Sequence, residues 1–447
     1  MIDLQTRPHS LIDNWSKMRG VLNAHGPTAL QLFREENFNK FSRVGFPTLR
    51  DEEFKYVSFR DVTESTLEPA YGATISRADL KDVPLAALET TTIAFVNGQY
   101  APELSTLHNL PRGVFVGTLE EAFESHEALV LEHLGKIATH EGKLGSTNDE
   151  RFVFLNNAYL TEGAVVIVPR GVVVEDSIHL LYVQKAEHGE LALFPRNLVV
   201  IGENASVKLI ESYIGLGGKV FTDGLTEISI DSAAVVEHVV YTNEVEGSTH
   251  VKSIYVDQKA GSVYTSTSAN FGGSIVRNDL NVFVDGEGAE TWLNGANVGT
   301  GRQVIDNHTR IDHAKPNCNS FEVFKTILRD TATGIFNGKI FVYEDAQKTD
   351  AKQTNQGILL SPTATFNTKP QLEIFADDVK CTHGATVGQL REDALFYLRA
   401  RGIPKQEAES LLVYAFAAEV LEKITIEPVR EALEALLFQK LGTSEVV

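Results

Sequence analysis

Cysteine and histidine two positions apart are the first residues here with the makings of a chemical site: "DDVKCTHGATVG", Asp377 to Gly388, contains Cys381 and His383. In an extended strand both side chains project to one face with Cα atoms ~6.6–7 Å apart. A thiolate and an imidazole so placed can converge on one metal ion. Lys380 projects to the other face, so His383 rather than Lys380 is expected to lower the thiol pKa. Two donors do not complete a site, because structural zinc and most iron–sulfur clusters take four protein ligands. Cys318 is expected three or four strand layers away, roughly 15–20 Å, so the missing ligands would come from another chain or the site would be transient. A strand pair that is simply buried is the alternative, since cysteine is among the most buried residue types.

A second constellation, "DNHTRIDHAKPNCNSFE" from Asp306, spaces His308, His313 and Cys318 evenly. A five-residue interval is in step with neither a strand face nor a helix face, so hydrogen bonding at chain corners is expected rather than a separate metal centre. Acidic pairs occur at Asp377-Asp378, Asp285 with Glu287, and Glu344-Asp345. Two carboxyls in one cleft would suit saccharide cleavage, but each pair falls in a turn signal, where local hydrogen bonding and solvation account for it. The stretches "GIFNGKIF" at Gly334 and "GLGGKVF" at Gly215 lack the spacing and the Ser/Thr of a phosphate-cradling loop, so the chain is not expected to hydrolyse ATP by itself. G-x-S-x-G, H-E-x-x-H and C-x-x-C are absent, which removes the strongest hydrolase, zinc-protease and dithiol signals.

The elements that must position these residues change character after Phe152, where short Val/Ile/Phe/Tyr/Thr runs such as "AVVIVP", "NLVVIG" and "LNVFVDG" replace helical periodicity. Turn signals at Gly202, Asp231, Gln258 and Asp285 fall about 27 to 29 residues apart, and those at Arg329, Glu344, Ser361 and Ala376 about 15 to 17. That loose period predicts a parallel β-helix over residues 151–386, ahead of an antiparallel sandwich, which would show more two-residue Asn-Gly or Asp-Gly turns. Residues 1–150 read as mostly helical. Leu11, Trp15, Met18 and Leu22 share a stripe, Thr92 to Val96 reads as a strand closed by an Asn97-Gly98 turn, and Leu119 to His133 reads as helix. Residues 387–447 read as a helical domain: Val387, Leu390, Ala394 and Leu398 line one helix, Gly402 ends it, Pro404 opens a second, and Pro428 opens a third.

At 447 residues the chain exceeds the ~250–300 at which a single core stops growing. Its 43% hydrophobic and 22% charged residues, with no apolar run long enough to span a bilayer, predict a soluble protein with no membrane partner. The opening residues carry neither an export nor an import signal, so a cytoplasmic location is expected. Two cysteines exclude a disulfide framework. A net charge of -20 argues against nucleic acid as a partner.

Gly338 to Ile424, with "GKIFVYEDAQKTDAKQTNQGILLSPTATF", "CTHGATVGQL" and "RARGIPKQEAESLLVYAFAAEV", resembles the SufB/SufD family of the SUF iron–sulfur cluster assembly system, on its SufD side. "FPTLRDEEFKYVSF" at Phe46 and "VPRGVVVEDSIHLLYV" at Val168 extend the resemblance over nearly the whole chain. At Phe54 the family often has Trp, a departure that touches N-terminal packing. The resemblance implies a mainly β fold, a right-handed parallel β-helix core flanked by N-terminal and C-terminal helical domains. It also implies a non-enzymatic scaffold that joins a SufB-like paralogue and a SufC-like ATPase and supports iron–sulfur cluster assembly and iron acquisition. Carried over by position, His383 and Cys381 match residues at the paralogue interface. No permanently bound cofactor is implied, only transient iron or an Fe-S cluster there. Arg401, Gly402, Tyr414 and Phe416 fall in the segment implied to dock the ATPase, although the same segment reads equally as a hairpin packing on its own core. An open solenoid end also predicts a homodimer of the isolated chain. The rival readings are a polysaccharide-cleaving β-helix and a purely structural solenoid. The first needs a glycan groove; the second would neither bind the ATPase nor depend on His383.

Overall fold

The computed structural model describes residues 10–22, 28–69, 72–107, 109–139 and 149–441. From Gly163 to Gly388 every pairing of neighbouring strands is parallel, and the chain winds through two sheets, adding one strand to each per coil. One sheet runs through Thr249–Gln258, Ile275–Val284, Val304–His313, Thr333–Val342 and Thr365–Ile374. The other runs through Val263–Asn270, Glu290–Gly299, Asn319–Leu328, Asp350–Leu359 and Lys380–Gly388. This is the expected parallel β-helix, of about 8 turns.

The coil length is not constant. Thr249 lies beside Ile275, 26 residues on, whereas Thr333 lies beside Thr365, 32 residues on. The turn signals at Gly202, Asp231, Gln258 and Asp285 all sit at one corner of successive coils, which explains their spacing. Arg329 and Ser361 sit at the opposite corner, so the shorter interval read from the sequence is half a coil. Asn204, Ala233, Gly261, Gly288, Asn317 and Lys348 occupy equivalent places at the first corner, all in the left-handed region. Their amides donate to carbonyls of the next coil: Gly261 to Glu287, Gly288 to Pro316 and Asn317 to Gln347. The corner therefore continues the inter-coil hydrogen bonding of the strands, and the acidic pairs at Asp285, Glu344 and Asp377 lie in such corners.

Inward-facing β-branched and aromatic residues stack coil upon coil. Phe95, Tyr182 and Tyr213 form a continuous ring stack with centroids 5.0 and 5.1 Å apart. Deeper in, the fully buried Glu211 accepts from Lys252, Tyr213 and Thr226. Burial alone would raise its pKa, but Lys252 and His238 outweigh that and hold it well below the usual carboxylate range.

One end of the coil is covered. Thr91–Val96 adds to Ile178–Val183 in parallel and Phe115–Thr118 closes on Gly163–Val168 in antiparallel fashion. Asn97 and Gly98 have φ of 47° and 79°, the double positive required by the predicted two-residue turn, and Phe95 pairs with Tyr100 across it. The helices Ser10–Asp13, Trp15–Leu22 and Thr28–Val44 bury Leu11, Trp15, Met18, Leu22 and Phe41 against the outer face of the first sheet. At the other end, among the described residues, Thr365–Ile374 and Lys380–Gly388 each pair with one strand only.

The C-terminal helices depart from expectation at one point. Val387 belongs to the strand Lys380–Gly388, which continues because Gly357 and Ile358 still offer it a pairing edge, and the helix begins at Glu392. The four apolar residues that suggested one stripe straddle that junction. Gly402 has φ +92° and ends the helix Glu392–Ala400 as predicted. Lys405–Leu421 and Glu427–Leu441 follow, burying Val413, Ala417, Val420, Val429, Leu433 and Leu437 against the second sheet. Among the described residues no helix is long and apolar enough to cross a membrane.

Candidate functional site

Parallel register places Cys381 beside Ala351 and His383 beside Gln353, and both neighbours are fully buried and point into the coil. Cys381 and His383 therefore share the inward face of the last strand, as the two-residue spacing predicts. Among the described residues nothing stacks over that strand, so His383 is exposed and Cys381 half-buried. A wholly buried strand does not describe this pair. Burial pushes the Cys381 thiol up and the Asp350 carboxylate adds to this, against the opposing Ala351 backbone hydrogen bond. The expected lowering by His383 does not occur, and the thiol needs a metal or a new positive neighbour to ionise at neutral pH.

Cys318 is nearer in coils than expected. It precedes Asn319, which aligns with Asp350 and then Lys380, so two layers separate the cysteines, about 10 Å at strand spacing. Its Sγ is fully buried and donates to the Gly286 carbonyl at 3.1 Å, and burial raises its pKa. His313 points inward to Ser320 (2.9 Å), and burial lowers it to about 4. His308 points outward between Asp306 (3.0 Å) and Glu53 (3.2 Å). These three residues do not meet. Among the described residues no group of three or more His, Cys, Asp and Glu is placed to hold a metal ion. What this chain brings to the open end is one cysteine and one histidine on the inward face of the last strand.

Two residues beneath His383 were not singled out by the sequence reading. Gln353, one coil down, donates through Nε2 to Glu322, two coils down, and both are 1% exposed. Burial raises Glu322 to about 7, opposed by the Gln353 and Thr309 side chains.

The C-terminal candidates divide into covered and uncovered residues. Tyr414 stacks on Phe438 at 4.7 Å, and the Phe416 ring receives Lys325 Nζ at 4.5 Å, so both brace the second helix against its neighbours. Arg401 and Gly402 are exposed, with the Arg401 guanidinium 4.5 Å above the Tyr397 ring. The helix Glu392–Ala400 buries no residue at all, leaving Phe396 73% and Tyr397 57% exposed. The adjacent aromatic pair in "EDALFYLRA" was the available signal, masked by reading the helix as one apolar stripe from Val387.

The family model described as "SUF system FeS cluster assembly, SufBD core domain" matches residues 182–416, and that of the SufBD protein N-terminal region matches residues 5–180. An iron–sulfur cluster assembly SufBD family protein of Synechocystis is 31% identical over 389 residues, 85% of this chain and 84% of its own. The iron–sulfur cluster assembly protein SufD of Escherichia coli is 28% identical over 412 residues, 91% and 92% of the two chains. The Bacillus subtilis protein of the same name is 29% identical over 366 residues, 79% and 80%. A core-domain match across more than half the chain, on a fold with about 8 parallel coils, makes this protein a member of the SufB/SufD family of iron–sulfur cluster assembly proteins.

Proposed function

We propose that the chain is a non-enzymatic scaffold subunit that docks its open coil on a SufB-like paralogue and its C-terminal helices on a SufC-like ATPase. The observation that supports this most is the last strand, which among the described residues has one edge unpaired and carries Cys381 and His383 on its inward face. A strand edge needs a partner, and a pair of soft and imidazole donors needs further ligands; a second β-helix end would supply both. Iron or a nascent cluster is then cargo at the shared end, held by donors from two chains. The ATPase face is the uncovered helix Glu392–Ala400 with Arg401 and Gly402, while Tyr414 and Phe416 hold that helical domain together from behind.

Reconstitution with the paralogue and the ATPase tests the site: His383→Ala should leave the complex assembled but reduce cluster formation at least tenfold, the loss expected when a metal donor goes. Unimpaired cluster formation by the variant would remove the metal role and favour a purely structural solenoid. Phe396→Ala with Tyr397→Ala should separately weaken capture of the ATPase without changing cluster-site geometry.

A further inference from the structure

Gln353 is buried, lies in register with His383, and has one end of its carboxamide already committed. Nε2 donates to Glu322 in the coil below, and once that carboxyl is ionised it can only accept, which sets the amide orientation. Oε1 is buried and has no hydrogen-bond partner among the described residues. Such an acceptor inside a β-helix is costly unless something donates to it.

The surroundings narrow what that donor can be. Across the coil stands Gly338, where a Cβ would come within 2.3 Å of Gln353 Nε2, so the carboxamide lies in space that only glycine leaves open. Asn355, the next inward residue along the strand, commits its amide to Thr368 at 2.8 Å. The polar hydrogen that remains in register above Gln353 is that of the His383 imidazole. His383 is exposed in the free chain, because its coil has no neighbour to press it down.

We propose that Gln353 is the positioning residue for His383: when a partner closes the coil, one imidazole nitrogen donates to Gln353 Oε1, which fixes the tautomer and leaves the other nitrogen free to bind metal. Glu322 acts one step further back, by keeping the carboxamide from turning over. The arrangement is a carbonyl behind a ligating histidine, the common way an outer partner orients an imidazole. This inference rests on reading His383 as a metal donor at the shared end.

The test is Co(II) binding to the reconstituted complex with the paralogue, followed by the visible absorption of the bound ion. Wild type should bind, and His383→Ala should lose the signal. Gln353→Leu should weaken Co(II) about 10- to 100-fold while assembly and melting temperature stay unchanged. Glu322→Gln, whose oxygen still accepts from Gln353, should retain wild-type affinity, whereas Glu322→Leu should repeat the Gln353→Leu loss from two coils away. If Gln353→Leu fails to assemble, Gln353→Asn, one methylene short of His383, carries the same expectation. Tight Co(II) binding by an assembled Gln353 variant, together with loss in His383→Ala, would overturn the positioning role and leave the site standing. Undiminished binding by His383→Ala would overturn the site reading and this inference with it.

Discussion

Glu322 carries a proton up to about pH 7 because its carboxyl is fully buried. The sign of the consequence is fixed by linkage. With a folded pKa above the unfolded one, the native state binds the extra proton between the ordinary carboxyl value of 4.5 and about 7, so stability falls as pH rises through that window. The difference corresponds to about 3 kcal/mol. Glu322→Gln should remove it, and urea midpoints measured at pH 5 and pH 8 should draw closer together in the variant than in wild type. At this scale the spacing of Cys381 and His383 was legible, because a strand puts alternate residues on one side whatever its surroundings. Glu322 and Gln353 were not legible as their companions. They lie 31 residues apart, and a coil that varies from 26 to 33 residues gives no fixed offset at which to look.

Arg277 ties two elements together. Its guanidinium bonds Asp306 at 2.7 Å and Asp279 at 2.8 Å on the first sheet, reaches the Glu53 carbonyl of the N-terminal region, and lies 4.0 Å over the Phe54 ring. Arg277→Met should leave the buried Asp306 with His308 as its remaining cationic partner and destabilise the fold by about 3 kcal/mol, and Asp306→Asn in the same chain should restore part of the loss in a thermal melt. His308 joins this cluster. Burial and Arg277 push its pKa down, but Asp306 and Glu53 outweigh them and raise it above 6.5. Its contribution is therefore complete below pH 6.5 and disappears as pH rises through the folded value, so His308→Asn should flatten the alkaline side of the stability profile. The strands themselves were readable from their β-branched runs and corner signals. Their pairing was not, since a signal at one corner looks like a signal at the other until the coil is wound. Close approach at a corner is equally silent: a Cβ on Gly286 would sit 1.9 Å from the Ala260 amide nitrogen. Gly286→Ala should lower the melting temperature by several degrees, consistent with a strained core substitution of about 1–3 kcal/mol.

For the whole molecule, two sheets wound about one axis and covered at the first coil leave, among the described residues, the last coil with a backbone edge that lacks a neighbour. Purified alone, the chain is expected to run as a dimer by light scattering, and Ala385→Pro in the last strand, whose amide faces the side away from Asp350–Leu359, should make it monomeric by removing an edge donor. A dimer unaffected by that change would move the contact elsewhere. The helical flanks were legible from their stripes, but which of them stays uncovered depends on packing across the second sheet, which no local pattern records.

The covered first coil, closed by an antiparallel strand from Phe115–Thr118, has a consequence for growth. A rod with two adhesive tips would polymerise into fibres, each subunit templating the next. With one tip blunted, two rods that met at their open ends would stop at a pair. Pairs formed that way would hold one shared end each, however concentrated the subunits became.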